Sequence, residues 1–398
     1  MSGEKIYEGV FAVHKPQGVT SADVIRKLQH HFNPSDLFKP WLETERARRK
    51  RESNFQRKRR RSQRLDVKIG HGGTLDPLAT GVLVTGVGKG TKHLSDFLAC
   101  TKTYEAVVLF GAETDSYDVL GKVVRHAPYE HINRDTVEKA LEQFRGKIMQ
   151  RPPIFSALKV QGKKLYEYAR EGKVPPIEIQ ERPVEVTDLR ILEWYEPGTH
   201  EFKWPEEAPA EEKAVAEKLL EKEDSLPVAP AAGEGDASAS KRRHSPAAAD
   251  QSQAEGTSSE TSPAVKKQKV TAEGDVAPAP SGQMGTTEVA ETFTTEAQPG
   301  ASEPSQSQPQ PQPPAVKITM TVTSGFYVRS LAHDLGKAVG SCGLMSSLIR
   351  SRQADFNLDP NRILEYKDLD AGEGVWGPKV KRFLDEWEAK RAAEQVSD

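Results

Sequence analysis

The stretch 205–315 limits what this chain can fold into more than any motif does. Phe293 is its one aromatic residue, and Ala, Pro, Ser, Glu, Gln and Thr dominate the rest, which closes on QPQPQPP. That composition cannot bury enough apolar surface to offset the entropy of ordering it. It is expected to be disordered, with a helix near 206–221 as the one candidate for order. Strand-like alternation stands on both sides, in VEVTDLRILEWYE before it and VKITMTV after it. The stretch therefore reads as an insertion inside one domain, assembled from 1–204 and 316–370.

The net charge of −2 hides a block: eleven of the nineteen residues 46–64 are Lys or Arg, against the single acid Glu52. Such a run repels itself and calls for water or polyanions around it. We read 41–65 as a basic insertion: a solvated helix or loop, a nuclear import signal, or a nucleic-acid contact. Two cysteines, Cys100 and Cys342, fit a reducing compartment and exclude a disulfide framework or a Cys-rich zinc site. No apolar run approaches the ~18 residues of a membrane span. The first residues carry Glu4 and Glu8 and no Arg, unlike a secretory or mitochondrial leader. A soluble intracellular protein is expected.

Local signals mark the folded parts. IYEGVFAVHKP reads as a strand closed by Pro16, and TSADVIRKLQHHF as a helix capped by Ser21 or Thr20. YEAVVLFGA alternates as a strand from Tyr104. RDTVEKALEQFRG reads as a helix with Asp135 as cap and Val137, Leu141 and Phe144 on one face. KVQGKKLYEYAREGK reads as a turn and short helix. A strand, a Ser324-Gly325 turn and a helix from near Val328 follow the low-complexity stretch, and 371–398 is a C-terminal helix.

Common sites are excluded by spacing. Gly86, Gly88 and Gly90 lie near Lys89 and Thr91 but miss the phosphate-loop pattern, no G-x-G-x-x-G follows a strand, and no His pair has zinc spacing. The segment GHGGTLDPLATG holds one carboxylate, Asp76, between Thr74 and Pro77 and ahead of the apolar run 78–87. Two readings fit: the carboxylate caps a turn, or it attacks a substrate from a rigid loop.

Five segments in order, FAVHKPQGVTSADVI, GHGGTLDPLATG, KTYEAVVLFG, PPIFSALKVQGKKLYEYAREG and SGFYVRSLAHDLG, resemble the TruB family of pseudouridine synthases. The resemblance covers 6–40, 66–204 and 316–358. It implies an α+β fold, a mixed and largely antiparallel sheet with flanking helices and a central active-site cleft. It implies a reaction without cofactor or metal that detaches uracil from its ribose, rotates it and reattaches it through carbon. Asp76 matches the family's nucleophile and Arg329 its arginine partner. Tyr104 matches the tyrosine that stacks on the base, while Tyr327 and Leu348 match residues lining the uracil pocket. His71 matches the histidine that fills the space left by the extruded uridine. The chain departs from the pattern at Gly72, where threonine is usual, and a more flexible loop around His71 is expected. Lys15 and Pro16 match a motif expected to support the catalytic loop.

One branch of the family modifies uridine 55 in the T-arm of tRNA as a stand-alone enzyme; the other is guided by small RNAs and carries a PUA domain. About forty residues follow Phe356, too few for that domain. The expected protein is therefore a monomeric tRNA pseudouridine-55 synthase, with mRNA as a further substrate candidate. The guide-RNA branch, or a tRNA-folding protein with dispensable catalysis, is the alternative. The basic clusters point to the nucleus, with mitochondrion or cytoplasm also open.

Overall fold

A computed structural model of the protein describes residues 4–59, 64–153, 156, 158–170, 179–211, 213 and 312–397. Strand β1 (Gly9–Lys15) is stopped by Pro16, whose nitrogen cannot extend a ladder. Helix α1 (Ser21–Phe32) starts on a reciprocal cap: Thr20 Oγ1 accepts from the Asp23 amide at 3.1 Å, and the Asp23 carboxylate accepts from the Thr20 amide at 3.1 Å. Helices α2 (Lys39–Lys50) and α3 (Asn54–Arg59) follow. Strands β2 (Ile69–His71) and β3 (Thr80–Val87) bracket the loop that holds Asp76. Helix α4 (Leu94–Ala99), strand β4 (Lys102–Phe110) and a hairpin of β5 (Ala112–Thr114) and β6 (Val123–His126) come next. Helix α5 (Arg134–Glu142) leads to β7 (Gly146–Gln150), and β8 (Lys159–Val160) pairs with β9 (Lys163–Lys164) ahead of α6 (Leu165–Arg170). Strand β10 (Arg182–Tyr195) precedes the low-complexity stretch. After it come β11 (Ala315–Val322), α7 (Val328–Ala338), β12 (Gly343–Gln353), β13 (Phe356–Asn357), β14 (Leu364–Glu365) and α8 (Glu373–Ser397).

The main sheet has the order β14-β1-β3-β12-β4-β11-β10-β7, with β2 on β3 and β13 on β12. Its pairs are antiparallel except β1/β14 and β3/β12. This is the mixed, largely antiparallel α+β architecture expected. Strands β10 and β11 run side by side from Val186↔Val322 to Tyr195↔Ala315, so the segments flanking 205–315 are direct neighbours.

Two apolar cores lie on either side of the β3/β12 junction. One gathers α1, β1 and α8 through Phe11, Leu28, Phe32 and Trp376; the other gathers α5, α7, β4 and β11 through Val108, Leu141, Ile318 and Leu335. The junction itself is narrow: β3 and β12 pair only at Ile349↔Thr80 and Arg350↔Gly81. Gly81 (φ +107) permits that approach, since a Cβ there would lie 2.3 Å from the Arg350 carbonyl oxygen.

Several boundaries differ from the sequence reading. The 41–65 segment is not wholly an insertion outside the core. Within it, Trp41 is buried and its Nε1 donates to Glu8 Oε1 at 2.8 Å, just after Phe38, which is buried and stacks on Phe32 at 4.4 Å. Phe38, Trp41 and Leu42 have helical spacing, but the charge density beyond them masks that signal. Residues 205–208 also belong to the fold: the Val123 amide donates to Glu206 O at 2.8 Å and the Ala208 amide to Val123 O at 2.9 Å. Backbone pairing of this kind leaves no mark in composition. The helix expected over 206–221 lies largely outside the described residues, as do 60–63 of the basic block. Helix α5 is capped by Asn133, not Asp135, because the Asn133 side chain accepts from both the Asp135 and Thr136 amides. Helix α8, the expected C-terminal helix, buries Trp376, Val380, Phe383 and Leu384 in the first core.

Trp41→Ala should therefore cost about 3 kcal/mol, as expected for a truncated core aromatic. Urea denaturation checks it; an unchanged midpoint would return α2 to the status of a passive insertion.

Candidate active site

The loop between β2 and β3 is a string of main-chain carbonyls pointing at donors. Gln353 Nε2 donates to Gly72 O at 2.6 Å, and Arg350 donates through Nη2 to Gly73 O at 3.1 Å and through Nη1 to Thr74 O at 3.5 Å. Ser21 Oγ donates to Leu75 O at 3.0 Å and accepts from the Leu75 amide at 2.9 Å. The Ala79 amide closes a turn on Asp76 O at 3.1 Å, and the Gly18 amide donates to Pro77 O at 2.8 Å. Lys15 Nζ reaches Ala79 O at 2.5 Å and Pro77 O at 3.5 Å. Lys15, Arg350 and Gln353 are fully or almost fully buried, so their hydrogen bonds are made without competing water. Burial pushes the Lys15 ammonium down to about 8, the charge of Asp76 opposes that shift, and Arg350 adds to it.

This frame presents Asp76 to a cleft of about 420 Å³. Arg329, near the start of α7, lies beneath it with Nε 3.0 Å from Asp76 Oδ2. The guanidinium is 8% exposed and the carboxylate 37%, so the cation is buried while the anion stays reachable. Arg329 Nη1 donates to Ser116 O at 3.0 Å, and Nε is 3.7 Å from Asp118 Oδ2. Burial pushes the Asp118 carboxyl above the ordinary aspartate value, with Arg329 and the Ser116 hydroxyl holding it back. Tyr117 takes a left-handed conformation (φ 63), which places the Ser116 carbonyl and the Asp118 carboxylate on the same guanidinium. Its ring stacks on His333 at 4.1 Å, one turn along α7 from Arg329.

Tyr104, Tyr327 and Leu348 line the same cleft, from β4, the start of α7 and β12. Gln150 holds the Tyr327 peptide at both ends: Nε2 donates to Tyr327 O at 2.9 Å, and Oε1 accepts from the Tyr327 amide at 2.8 Å. Ser330 Oγ donates to Arg151 O at 2.8 Å, so the end of β7 grips the peptide segment on both sides of Arg329. Five of the six side chains expected from the sequence thus converge on one space. His71 does not line it. It ends β2 opposite Thr85, half-buried, and burial followed by the charge of Arg350 pushes its imidazole below the ordinary histidine value. Among the described residues, no cluster of His, Cys, Asp and Glu is placed to hold a metal ion.

Asp118, Arg350, Gln150 and Gln353 are not legible as site residues in the sequence. Arg350 sits two residues after Leu348, the spacing of one strand face, which is the one signal that points to it. Gly72 also differs from expectation. Its amide donates to Val84 O at 2.8 Å, its carbonyl is held by Gln353, and a Cβ would fall 2.8 Å from Phe97 Cβ. The loop is held tightly here, and glycine is present because α4 packs directly against its backbone. Gly72→Thr should lower stability by about 1–3 kcal/mol, the range for overpacking. A thermal melt reads this, and an unchanged Tm would mean that the loop yields.

The family model described as TruB family pseudouridylate synthase (N terminal domain) matches residues 58–206. The relative named tRNA pseudouridine synthase 4 from Schizosaccharomyces pombe is 37% identical over 369 residues, covering 91% of this chain and 83% of the relative. Its namesake from Saccharomyces cerevisiae is 33% identical over 385 residues, covering 95% of this chain and 85% of the relative. Pseudouridylate synthase TRUB1 of Mus musculus is 40% identical over 190 residues, 48% of this chain and 51% of that protein. With a buried arginine under one reachable aspartate, aromatic walls around them, and relatives aligned across nearly the whole chain, this protein belongs to the TruB family of pseudouridine synthases.

Proposed function

We propose that this protein converts uridine to pseudouridine at position 55 in the T-arm of tRNA, with Asp76 as covalent nucleophile. The observation that carries the reading is the Asp76–Arg329 ion pair at the floor of a cleft walled by Tyr104, Tyr327 and Leu348. The names of the two fungal relatives supply tRNA as the substrate class. The T-arm, the position within it, activity as a monomer and action on mRNA rest on the family resemblance.

Each side chain has a part in that chemistry. A uridine extruded from folded RNA loses its stacking partners, and the Tyr104 ring face replaces one of them. Leu348 and Tyr327 bound the base on other sides and limit water around the bond that breaks. Asp76 forms a covalent bond to the nucleotide, the carbon–nitrogen link to ribose breaks, and a carbon–carbon link from C5 forms as Asp76 is released; C5 then loses its proton and N1 takes one up, so no net proton is exchanged. Arg329 stays paired with its buried acceptors, so the carboxylate keeps one pose while it attacks and leaves. The isomerisation is balanced without a cofactor, because substrate and product contain the same atoms.

Wild-type protein incubated with unmodified tRNA should yield a carbodiimide-dependent reverse-transcription stop at the modified position, and Asp76→Asn should yield none. No stop with the wild type would sink the enzyme reading; a stop with the variant would sink the assignment of Asp76.

The Lys15 value of about 8 sets a pH limit. Below it the ammonium holds the loop carbonyls; above it one donor is lost, so kcat should decline as pH rises through about 8 to 9. Stability should move the other way. The folded-state value lies below that of an unfolded lysine, so the unfolded chain binds the proton more tightly, and this group's contribution becomes more favourable as pH climbs from about 8 to about 10.4. A pH–rate profile paired with melts across the same range tests both directions. Coincident loss of activity and stability would indicate general unfolding instead.

A further inference from the structure

The catalytic cleft leaves the basic block unused. Helix α1 links the two: its first residue, Ser21, is bonded to Leu75 in the catalytic loop, and its last residue, Phe32, lies about 16 Å away at 1.5 Å per residue. At that far end, a groove of about 620 Å³ is lined by Arg26, Gln29, His30, Asn33, Arg64 and Asp66. The block therefore rejoins the fold on the helix that seats the loop, beyond the reach of a single nucleotide in the cleft.

Helix α2 carries its charges on two faces. Glu45 and Glu52 pair with Arg48, and Glu45 also pairs with Arg49. Arg46, Lys50 and Arg51 are exposed and form no ion pair among the described residues. Arg46 and Lys50 are four apart and share one ridge, with Glu43 the acid nearest in sequence on that side. Trp41 and Phe38 fasten the helix to the core, which holds these cations at fixed positions relative to the cleft. Phe55, at the start of α3, is 76% exposed and flanked in sequence by Arg51 and the basic run from Arg57. An exposed aromatic flanked in sequence by cations suits a polyanion with stackable bases.

We infer that α2 and the start of α3 form a second RNA-binding surface, which takes the phosphate backbone of the tRNA outside the arm whose uridine enters the cleft. Arg46, Lys50 and Arg51 meet phosphates and Phe55 stacks on a base. The inference rests on the tRNA reading above and adds to it the part of the RNA that the T-arm alone lacks.

The test compares the full chain with Arg46→Gln/Lys50→Gln/Arg51→Gln and, separately, Phe55→Ala, after melts establish that both fold. Kd is measured for unmodified full-length tRNA and for an isolated T-arm hairpin over a salt series. For whole tRNA the triple variant should bind about tenfold more weakly at physiological salt. The slope of log affinity against log salt should fall by about 2–3, roughly 0.7–0.9 for each phosphate no longer neutralised. Phe55→Ala should weaken whole-tRNA binding about fivefold or more, within the range for removal of one stacked base, with the salt slope unchanged. Hairpin affinity and kcat should stay at wild-type values in both. Unchanged affinity for whole tRNA, or equal weakening on the hairpin, would overturn the inference. So would unchanged affinity accompanied by lost nuclear accumulation, which would assign the surface to an import factor. Binding is read without turnover, so failure to form pseudouridine would sink the enzyme reading and leave this contrast standing.

Discussion

Everything at this site depends on a loop whose peptide carbonyls are captured by buried donors. A Gly/Thr/Pro-rich segment has little side-chain packing of its own, and left to itself it would sample many conformations. Lys15 from β1, Ser21 from α1, and Arg350 and Gln353 from β12 take its carbonyls from different directions. Buried cations are costly unless fully hydrogen-bonded, so these donors and the loop satisfy each other. Neither the loop nor the two charges would be stable in this arrangement alone. The result is an aspartate with a fixed backbone and a reachable carboxylate, the condition a nucleophile needs.

The location follows from the sheet. Strands β3 and β12 pair over only two positions, and the apolar cores diverge on either side of that junction. Where the sheet pairs so briefly, the loop entering β3 and the start of α7 can face one another across open space. Arg329 then lies between two carboxylates, one exposed to the cleft and one buried. The buried partner, Asp118, gives the guanidinium a second carboxylate besides Asp76. Gln150, gripping the Tyr327 peptide, fixes the start of α7 from the other side.

Much of the fold is legible locally. The cap at Thr20, the alternation from Tyr104 and the turn before Val328 are short-range signals, and each produces the expected element. What escapes a local reading does so for physical reasons. Trp41 is hidden by the dense run of charge that follows it, and Ala208 by the fact that its strand-like bridge is made by backbone atoms. Gly72 reads as a loosened position, yet the packing of Phe97 against it explains why a side chain is absent.

The sequence by itself determined the elements, their order and the motif that carries Asp76, because helical and strand periodicity and turn chemistry act over a few residues. Motif order also brought Tyr104, Tyr327, Arg329 and Leu348 into the same expectation. Only the tertiary structure decided that Arg350 and Gln353 hold the loop alongside Lys15, that Asp118 shares Arg329, and that His71 stays out of the cleft lining. Those outcomes depend on strand register and on which buried donor meets which carbonyl, and such pairings between distant segments leave no periodic trace in the chain.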